Sequence, residues 1–303
     1  MRRLSVPAAN GRLAMLATWA VTRLAAGVSW RAARRPVSRL WFTPWRTPIS
    51  ARARDRHARW LAEATPISLN VDGRRLAGYR AGDGPTVLLV HGWSDRAASL
   101  GAFVGPLVER GFSVVGIDLP GHGDSPGGRT NAFAMAETLR RIERELGGVD
   151  AIIAHSIGAL VTILELGNDL DARAVALIAP LVRADRAVEH FAGQLRLSHR
   201  AVRALRTDIE SRFGRDVWDQ LAADLIAPQI DDVQALIVHD EGDPETGWSD
   251  SSLLAAAWPG ARLVTTQGLG HYRVVRDENV VDEISNFIAD TVRSNSATAQ
   301  SVQ

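Results

Sequence analysis

Two residue types are missing from the sequence. Its 303 residues include no cysteine, which excludes disulfides, cysteine-ligated zinc, iron–sulfur clusters and cysteine nucleophiles. It also lacks lysine, because all 35 basic residues other than histidine are arginine, so Schiff-base and P-loop lysine chemistry are excluded. The longest apolar run, Leu13 to Thr22, is shorter than the ~20 residues that span a bilayer. With 46% hydrophobic residues, the composition is nevertheless that of a folded globular protein.

Charge is distributed very unevenly along the chain. Residues 1–60 contain 13 arginines and one acidic residue, Asp55, and they also hold five of the nine tryptophans. The rest of the chain is acidic, and the formal net charge of the whole is +1. We predict that residues 1–60 form a basic helical extension, which either packs on the main domain or lies on an anionic membrane surface. No clean signal-peptide cleavage site stands out, so we expect a cytoplasmic protein, membrane-associated if the extension binds lipid.

The remaining sequence predicts an α/β fold. Short β-like runs alternate with amphipathic helical periods, which favours a mostly parallel central sheet with helices on both faces. The apolar runs Thr86–Val90 and Ala151–Ala154 are typical of central strands. We assign residues 61–293 to this single domain and residues 294–303, which are polar and small, to a flexible tail.

Ser156 stands where an apolar strand passes into an apolar helix. This strand–turn–helix context is the one that a nucleophile elbow requires, and small residues, Ala154 and Gly158, flank the serine at two positions on either side. The first N–H of the following helix, that of Ile157, is free to donate to an oxyanion. His155 is next to Ser156, but strand alternation predicts that it points to the opposite face.

These residues resemble those of the α/β-hydrolase superfamily, in its serine-nucleophile, esterase- and lipase-like branch. Two further segments, Leu88–Ser94 and Asp118–Ser125, resemble the family's oxyanion loop and the loop after the following strand. The resemblance implies that the backbone N–H of Trp93 donates to the oxyanion and that His91 orients the loop. We expect His122, in the second segment, to be structural.

The same resemblance implies a Ser–Asp–His order for the remaining site residues. The segment Leu236–Asp243 follows a late strand and makes Asp243 the acid that orients the base, with Asp240 as its rival. His271 follows the last strand in a glycine-rich loop and is the implied base. Of the other histidines, His239 is expected to support the loop.

Residues 184–230 interrupt the alternation of strands and helices with a purely helical pattern. The family resemblance implies that this segment is a cap above the active site. Seven of its apolar residues could face either the substrate pocket or the domain body: Phe191, Leu195, Leu205, Ile209, Phe213, Val217 and Trp218.

The predicted function is hydrolysis of a carboxylic ester, or a related acyl bond, through an acyl-enzyme. Ser156, His271 and Asp243 form the predicted triad, and Trp93 and Ile157 form the oxyanion hole. This chemistry requires no cofactor or metal. The substrate would be a small-molecule or lipid-like ester, and nucleic-acid binding is not expected because no recognition motif is present. Two alternatives stay open: an acyltransferase with the same triad, and a non-catalytic binding protein of this fold.

Overall fold

The computed structural model describes residues 30–46 and 48–301. Residues 1–29, about half of the predicted basic extension, and the last two residues of the predicted tail therefore lie outside the described residues. Within the described part, no helix is long and apolar enough to cross a membrane.

The described strands form one sheet with the order β1-β2-β4-β3-β5-β6-β7-β8. An antiparallel hairpin of β1 and β2 lies at one edge, β2 pairs antiparallel with β4, and all other pairs are parallel. The α/β fold with a mostly parallel sheet is thus confirmed. The strands are β1 Thr65–Val71, β2 Arg74–Ala81, β3 Thr86–Val90, β4 Ser113–Ile117, β5 Ala151–His155, β6 Ala174–Ile178, β7 Gln234–Asp240 and β8 Arg262–Thr266.

Helices cover both faces of this sheet. Because β3 to β6 are almost wholly buried between two helical layers, they can be continuously apolar. The α-helices are α1 Trp30–Trp41, α2 Ala51–Trp60, α3 Val104–Glu109, α4 Ala132–Leu146, α5 Ile157–Leu166, α6 Ala184–Leu195, α7 His199–Phe213, α8 Val217–Gln220, α9 Ala223–Ile226, α10 Trp248–Ala257, α11 Gly270–Arg273 and α12 Glu278–Ser301. The 3₁₀ turns are Ala97–Phe103, Ala227–Gln229 and Val274–Arg276.

Local sequence explains where the main helices begin and end. Asn131 caps α4 by accepting a hydrogen bond from the backbone of Ala134 at 3.1 Å, and Gly147 ends this helix in the left-handed conformation. Ser198 caps α7 in the same way. Helix α12 continues to Ser301, past the start of the predicted tail, because neither glycine nor proline interrupts residues 294–301.

The described half of the N-terminal extension packs on the domain. Helix α1 contacts helix α7, where Arg34 forms an ion pair with Asp208 at 3.1 Å. Helix α2 packs on the turn that precedes α3, with Trp60 against Gly101. Both described helices of the extension thus contact the domain.

Candidate active site

Ser156 lies at a sharp turn between β5 and α5. Its backbone has φ of +56° and ψ of −124°, a strained conformation for a residue with a side chain. A Cβ at Gly158 would come within 2.6 Å of the carbonyl oxygen of Val90 and 2.7 Å of that of His91, so only glycine fits. The alanine at position 154, where the family pattern has glycine, is fully buried in strand β5. The local geometry is that of a nucleophile elbow.

The loop after β3 lies directly against this serine. A Cβ at Gly92 would be 3.1 Å from the Cβ of Ser156, which shows how closely the loop backbone approaches. Trp93 and Ile157, the two predicted oxyanion donors, both line the cavity that contains Ser156. His91 accepts a hydrogen bond from the backbone N–H of Leu119 at 3.0 Å and so ties the loop to the chain after β4.

His271 and Asp243 are brought together at the carboxyl end of the sheet. The Nδ1 atom of His271 is 2.7 Å from Oδ2 of Asp243, and both side chains are almost completely buried. Burial alone would raise the pKa of Asp243, but hydrogen bonds from His239 and His271 outweigh it and hold this pKa well below its usual range. Asp243 is therefore an anion that can fix the imidazole ring and stabilise its charged form.

Asp240 does not contact His271. Its Oδ2 accepts hydrogen bonds from the backbone N–H of Leu269 at 2.8 Å and from the hydroxyl of Thr266 at 3.0 Å. These bonds and others from backbone N–H groups outweigh burial and lower the pKa of Asp240. The geometry thus gives Asp240 a different role from Asp243: it holds the loop that carries His271.

Sequence reasoning missed Thr246, which lies beneath the pair of Asp243 and His271. Its hydroxyl is 3.0 Å from Oδ2 of Asp243 and 3.3 Å from Nδ1 of His271, and its backbone N–H donates to Oδ1 of Asp243 at 3.1 Å. His239, which the sequence indicates as a loop support, lies 3.3 Å from Oδ2 of Asp243. Thr246 belongs to no sequence motif, and only its position three residues after Asp243 could have indicated its contacts with this pair.

Strand alternation predicts that His155 points to the face opposite Ser156, yet its ring contributes to the same cavity. Strand β5 ends at His155 and the chain turns at the next residue, so the ring borders the same cavity as Ser156. Its Nε2 is 3.0 Å from the backbone oxygen of His271, and the two rings lie 4.7 Å apart. Burial, together with the charge of nearby His271, lowers the pKa of His155 to about 3. A neutral ring that donates to this carbonyl supports the backbone of His271.

His122 lies outside the cavity lining. Its buried ring packs between His91, at 5.0 Å, and Trp93, at 5.4 Å. Burial lowers its pKa to about 3, so the ring is uncharged and acts in packing. This agrees with the structural role expected for the loop after β4.

Ser156 and His271 both face a cavity of about 330 Å³. Nε2 of His271 points to the cavity side, 3.9 Å from Oε2 of Glu245. The walls are mostly apolar and include aromatic side chains from several elements. Five of the seven apolar residues singled out in residues 184–230 line it: Phe191, Ile209, Phe213, Val217 and Trp218. The other two, Leu195 and Leu205, are fully buried instead.

His190 also lines this cavity and contacts Gln194. Among the described residues, no group of three or more histidine, aspartate and glutamate side chains could hold a metal ion.

A mostly parallel sheet with a strained serine at the turn after its central strand defines the class of α/β-hydrolase-fold proteins. Residues 87–283 match the sequence profile of the alpha/beta hydrolase family, and the chain belongs to that family.

Curated relatives match only part of the chain. A pimeloyl-[acyl-carrier protein] methyl ester esterase of Methylococcus capsulatus is 50% identical over 88 residues, which are 27% of this chain and 32% of that protein. An uncharacterized protein of Mycobacterium tuberculosis is 32% identical over 112 residues, or 35% of this chain and 32% of that protein. The chain thus spans about a third of the length of these relatives.

Solved structures match over most of the fold. A lipase structure from Acinetobacter baumannii aligns with a TM-score of 0.61 and 17% identity, covering 82% of this chain and 99% of that one. A membrane phospholipase A aligns with a TM-score of 0.60 and 20% identity, covering 80% and 91%. At these identities the likeness establishes the fold, and the chemistry is argued from the site.

Proposed function

We propose that the protein is a serine hydrolase that cleaves a carboxylic ester through an acyl-enzyme. The observation that carries this proposal is the contact of 2.7 Å between His271 and Asp243 beside a serine held at a strained elbow. A serine hydroxyl is a weak nucleophile and needs an oriented base in this position. The coarser conclusion, a hydrolase of esterase- or lipase-like fold, agrees with the family membership.

The reaction follows from the placement of these groups. Ser156 Oγ attacks the ester carbonyl carbon and gives its proton to Nε2 of His271, while the backbone N–H groups of Trp93 and Ile157 donate to the oxyanion. The intermediate collapses, and the leaving alcohol takes the proton from His271. His271 then takes a proton from water, the resulting hydroxide attacks the acyl carbonyl, and the carboxylic acid departs as the proton returns to Ser156.

The apolar cavity favours a small-molecule or lipid-like ester as substrate. In this proposal the helical segment 184–230 acts as a cap that limits access of water. The catalysis needs no cofactor. As further proposals, the enzyme is cytoplasmic and contacts an anionic membrane through the basic extension, of which residues 1–29 remain once the described part is packed on the domain.

Hydrolysis of p-nitrophenyl esters tests this function directly. We expect turnover by the wild-type protein and its loss, by a factor on the order of 10⁴ or more, in Ser156→Ala and His271→Ala. Ser211→Ala and His199→Ala change exposed residues on helix α7 and should retain wild-type rates. Undiminished hydrolysis by Ser156→Ala would contradict the proposal, as would the absence of hydrolysis by the folded wild-type protein across the ester series.

A further inference from the structure

Residues 40–46, which we name the N-terminal strap, form part of the cavity wall although they lie more than a hundred residues before Ser156. Three of its aromatic side chains border the cavity, those of Trp41, Phe42 and Trp45. Leu40 and Phe42 are buried, with exposures of 5% and 6%. The sequence predicts that this stretch packs on the domain as a helix or lies on a membrane surface. Neither prediction places it in the wall of the cavity that contains Ser156.

Backbone and side-chain hydrogen bonds fix the strap to both sides of the site. The carbonyl of Phe42 accepts from the backbone of Thr130 at 2.9 Å, and the N–H of Trp45 donates to the hydroxyl of Ser94 at 2.7 Å. Arg46 donates to three backbone carbonyls of the loop after β4: those of Gly121, Ser125 and Gly127. Since Ser94 directly follows Trp93, the strap is anchored beside the proposed oxyanion hole.

The strap joins the helical segment 184–230 in a continuous aromatic wall. Trp41 meets Phe191 edge-on at 5.3 Å, and Phe42 lies 5.9 Å from Phe213. Phe213 in turn lies 5.7 Å from Phe133 of helix α4. Removal of the strap side chains would therefore open the cavity on one side and delete apolar contact surface.

The charged and apolar residues of the lining indicate which kind of substrate chain the cavity favours. The described lining contains the carboxylates of Asp95 and Glu245 and no arginine. A substrate chain that ends in a carboxylate or phosphate would meet these two like charges in the lining, whereas the guanidinium of Arg212 lies over the ring of Phe42, 4.8 Å from its centroid. A neutral, apolar chain gains instead by contact with the aromatic rings.

Resting on the proposed ester hydrolysis, we infer that the N-terminal strap determines substrate specificity. Trp41 and Phe42 bind the apolar acyl chain of the ester, so the substrates are esters of medium or long apolar acids rather than acetates.

The test compares p-nitrophenyl octanoate with p-nitrophenyl acetate in the full chain. The wild-type protein should have the higher kcat/KM for octanoate. In Trp41→Ala the octanoate-to-acetate ratio of kcat/KM should fall about tenfold, because only the longer chain reaches the wall. Trp60→Ala is the matched control: this tryptophan is also in the extension and half-buried, but it lies outside the cavity lining, so the ratio should be unchanged.

Specific outcomes would overturn the inference. A wild-type preference for acetate contradicts the substrate class, and an unchanged ratio in Trp41→Ala contradicts the role of the strap. If Trp41→Ala does not fold, Trp41→Phe keeps an aromatic ring of smaller area and should lower the ratio by a smaller factor; an unchanged ratio there also contradicts it. Failure of the proposed function is distinguishable, since hydrolysis of both esters would then be absent in the wild type or would survive in Ser156→Ala.

Discussion

At the scale of single residues, the assignment of two nearby carboxylates depends on hydrogen bonds. Asp240 is the last residue of strand β7 and Asp243 follows three residues later, so spacing alone kept both as rivals for the acid that orients the base. Asp243 contacts His271, whereas Asp240 accepts from the backbone of Leu269. The sequence predicts that both residues lie at the end of the sheet that carries the site. The hydrogen bonds of each carboxylate in the folded protein decide which one contacts the imidazole of His271.

Substitution of the two aspartates should therefore have separable effects. We expect Asp243→Asn to lower kcat for ester hydrolysis by a factor on the order of 10⁴, since the imidazole loses its orienting anion. Asp240→Asn should instead lower Tm, because the loop loses charge-assisted bonds worth ~1–3 kcal/mol each. Steady-state kinetics and thermal denaturation of both variants check this. A larger loss of kcat in Asp240→Asn than in Asp243→Asn would contradict the assignment.

The buried ring of His155 gives a prediction for pH dependence. Its pKa is about 3 in the folded protein, against ~6.5 in an unfolded chain. Between these values the unfolded chain binds a proton that the native ring does not, so the free energy of unfolding falls as the pH drops below ~6.5 toward 3. Replacement of His155 by glutamine, which keeps an N–H donor, should flatten this dependence of Tm on pH.

The control for this experiment is His199→Gln, since His199 is exposed on helix α7. This variant should keep the wild-type slope of Tm against pH. If His155→Gln and His199→Gln show the same slope, the contribution of His155 to acid sensitivity is excluded.

At the scale of elements, the sequence predicted bounds most accurately for apolar strands that end in a turn where only small residues fit. The bounds of β3 were predicted to the residue and those of β5 to within one residue, because unbroken apolar runs leave few alternatives. The strap could not be predicted as a cavity wall. Its two tryptophans and Arg46 are equally typical of membrane surfaces, and only tertiary contacts such as that of Trp45 with Ser94 distinguish the two roles.

The elbow between β5 and α5 also yields a test with a matched control. Gly158→Ala should destabilise the protein or abolish activity, because the added Cβ would lie 2.6 Å from the carbonyl oxygen of Val90. Gly193 occupies the interior of helix α6 with nothing within 4 Å of an added Cβ. Gly193→Ala should therefore be neutral or raise stability by ~0.5–1 kcal/mol. Equal Tm and activity in the two variants would contradict the close approach of helix and strand.

At the scale of the whole molecule, the basic extension divides into two parts. Residues 30–46 and 48–60 pack on the domain and supply the strap, whereas residues 1–29, with four arginines and no acidic residue, are left for the proposed membrane contact. Removal of residues 1–29 alone keeps the cavity wall, so it separates membrane binding from substrate binding. We therefore assign packing on the domain to the described part of the extension and the proposed membrane contact to residues 1–29.

Vesicle flotation tests the membrane contact. We expect the full chain to float with vesicles that contain anionic phospholipid at low salt and to be released at high salt. The chain without residues 1–29 should remain in the soluble fraction, and zwitterionic vesicles should retain neither protein. Equal recovery of both proteins in the soluble fraction with anionic vesicles would exclude the membrane proposal.

Covalent labelling by a fluorophosphonate, read by intact mass, tests the central claim most directly, because it reports an activated serine without knowledge of the substrate. We predict a single adduct on the wild-type protein and on Ser211→Ala, and none on Ser156→Ala or His271→Ala. Labelling of Ser156→Ala to the same extent, or no labelling of the folded wild-type protein, would contradict the account of Ser156 as the nucleophile.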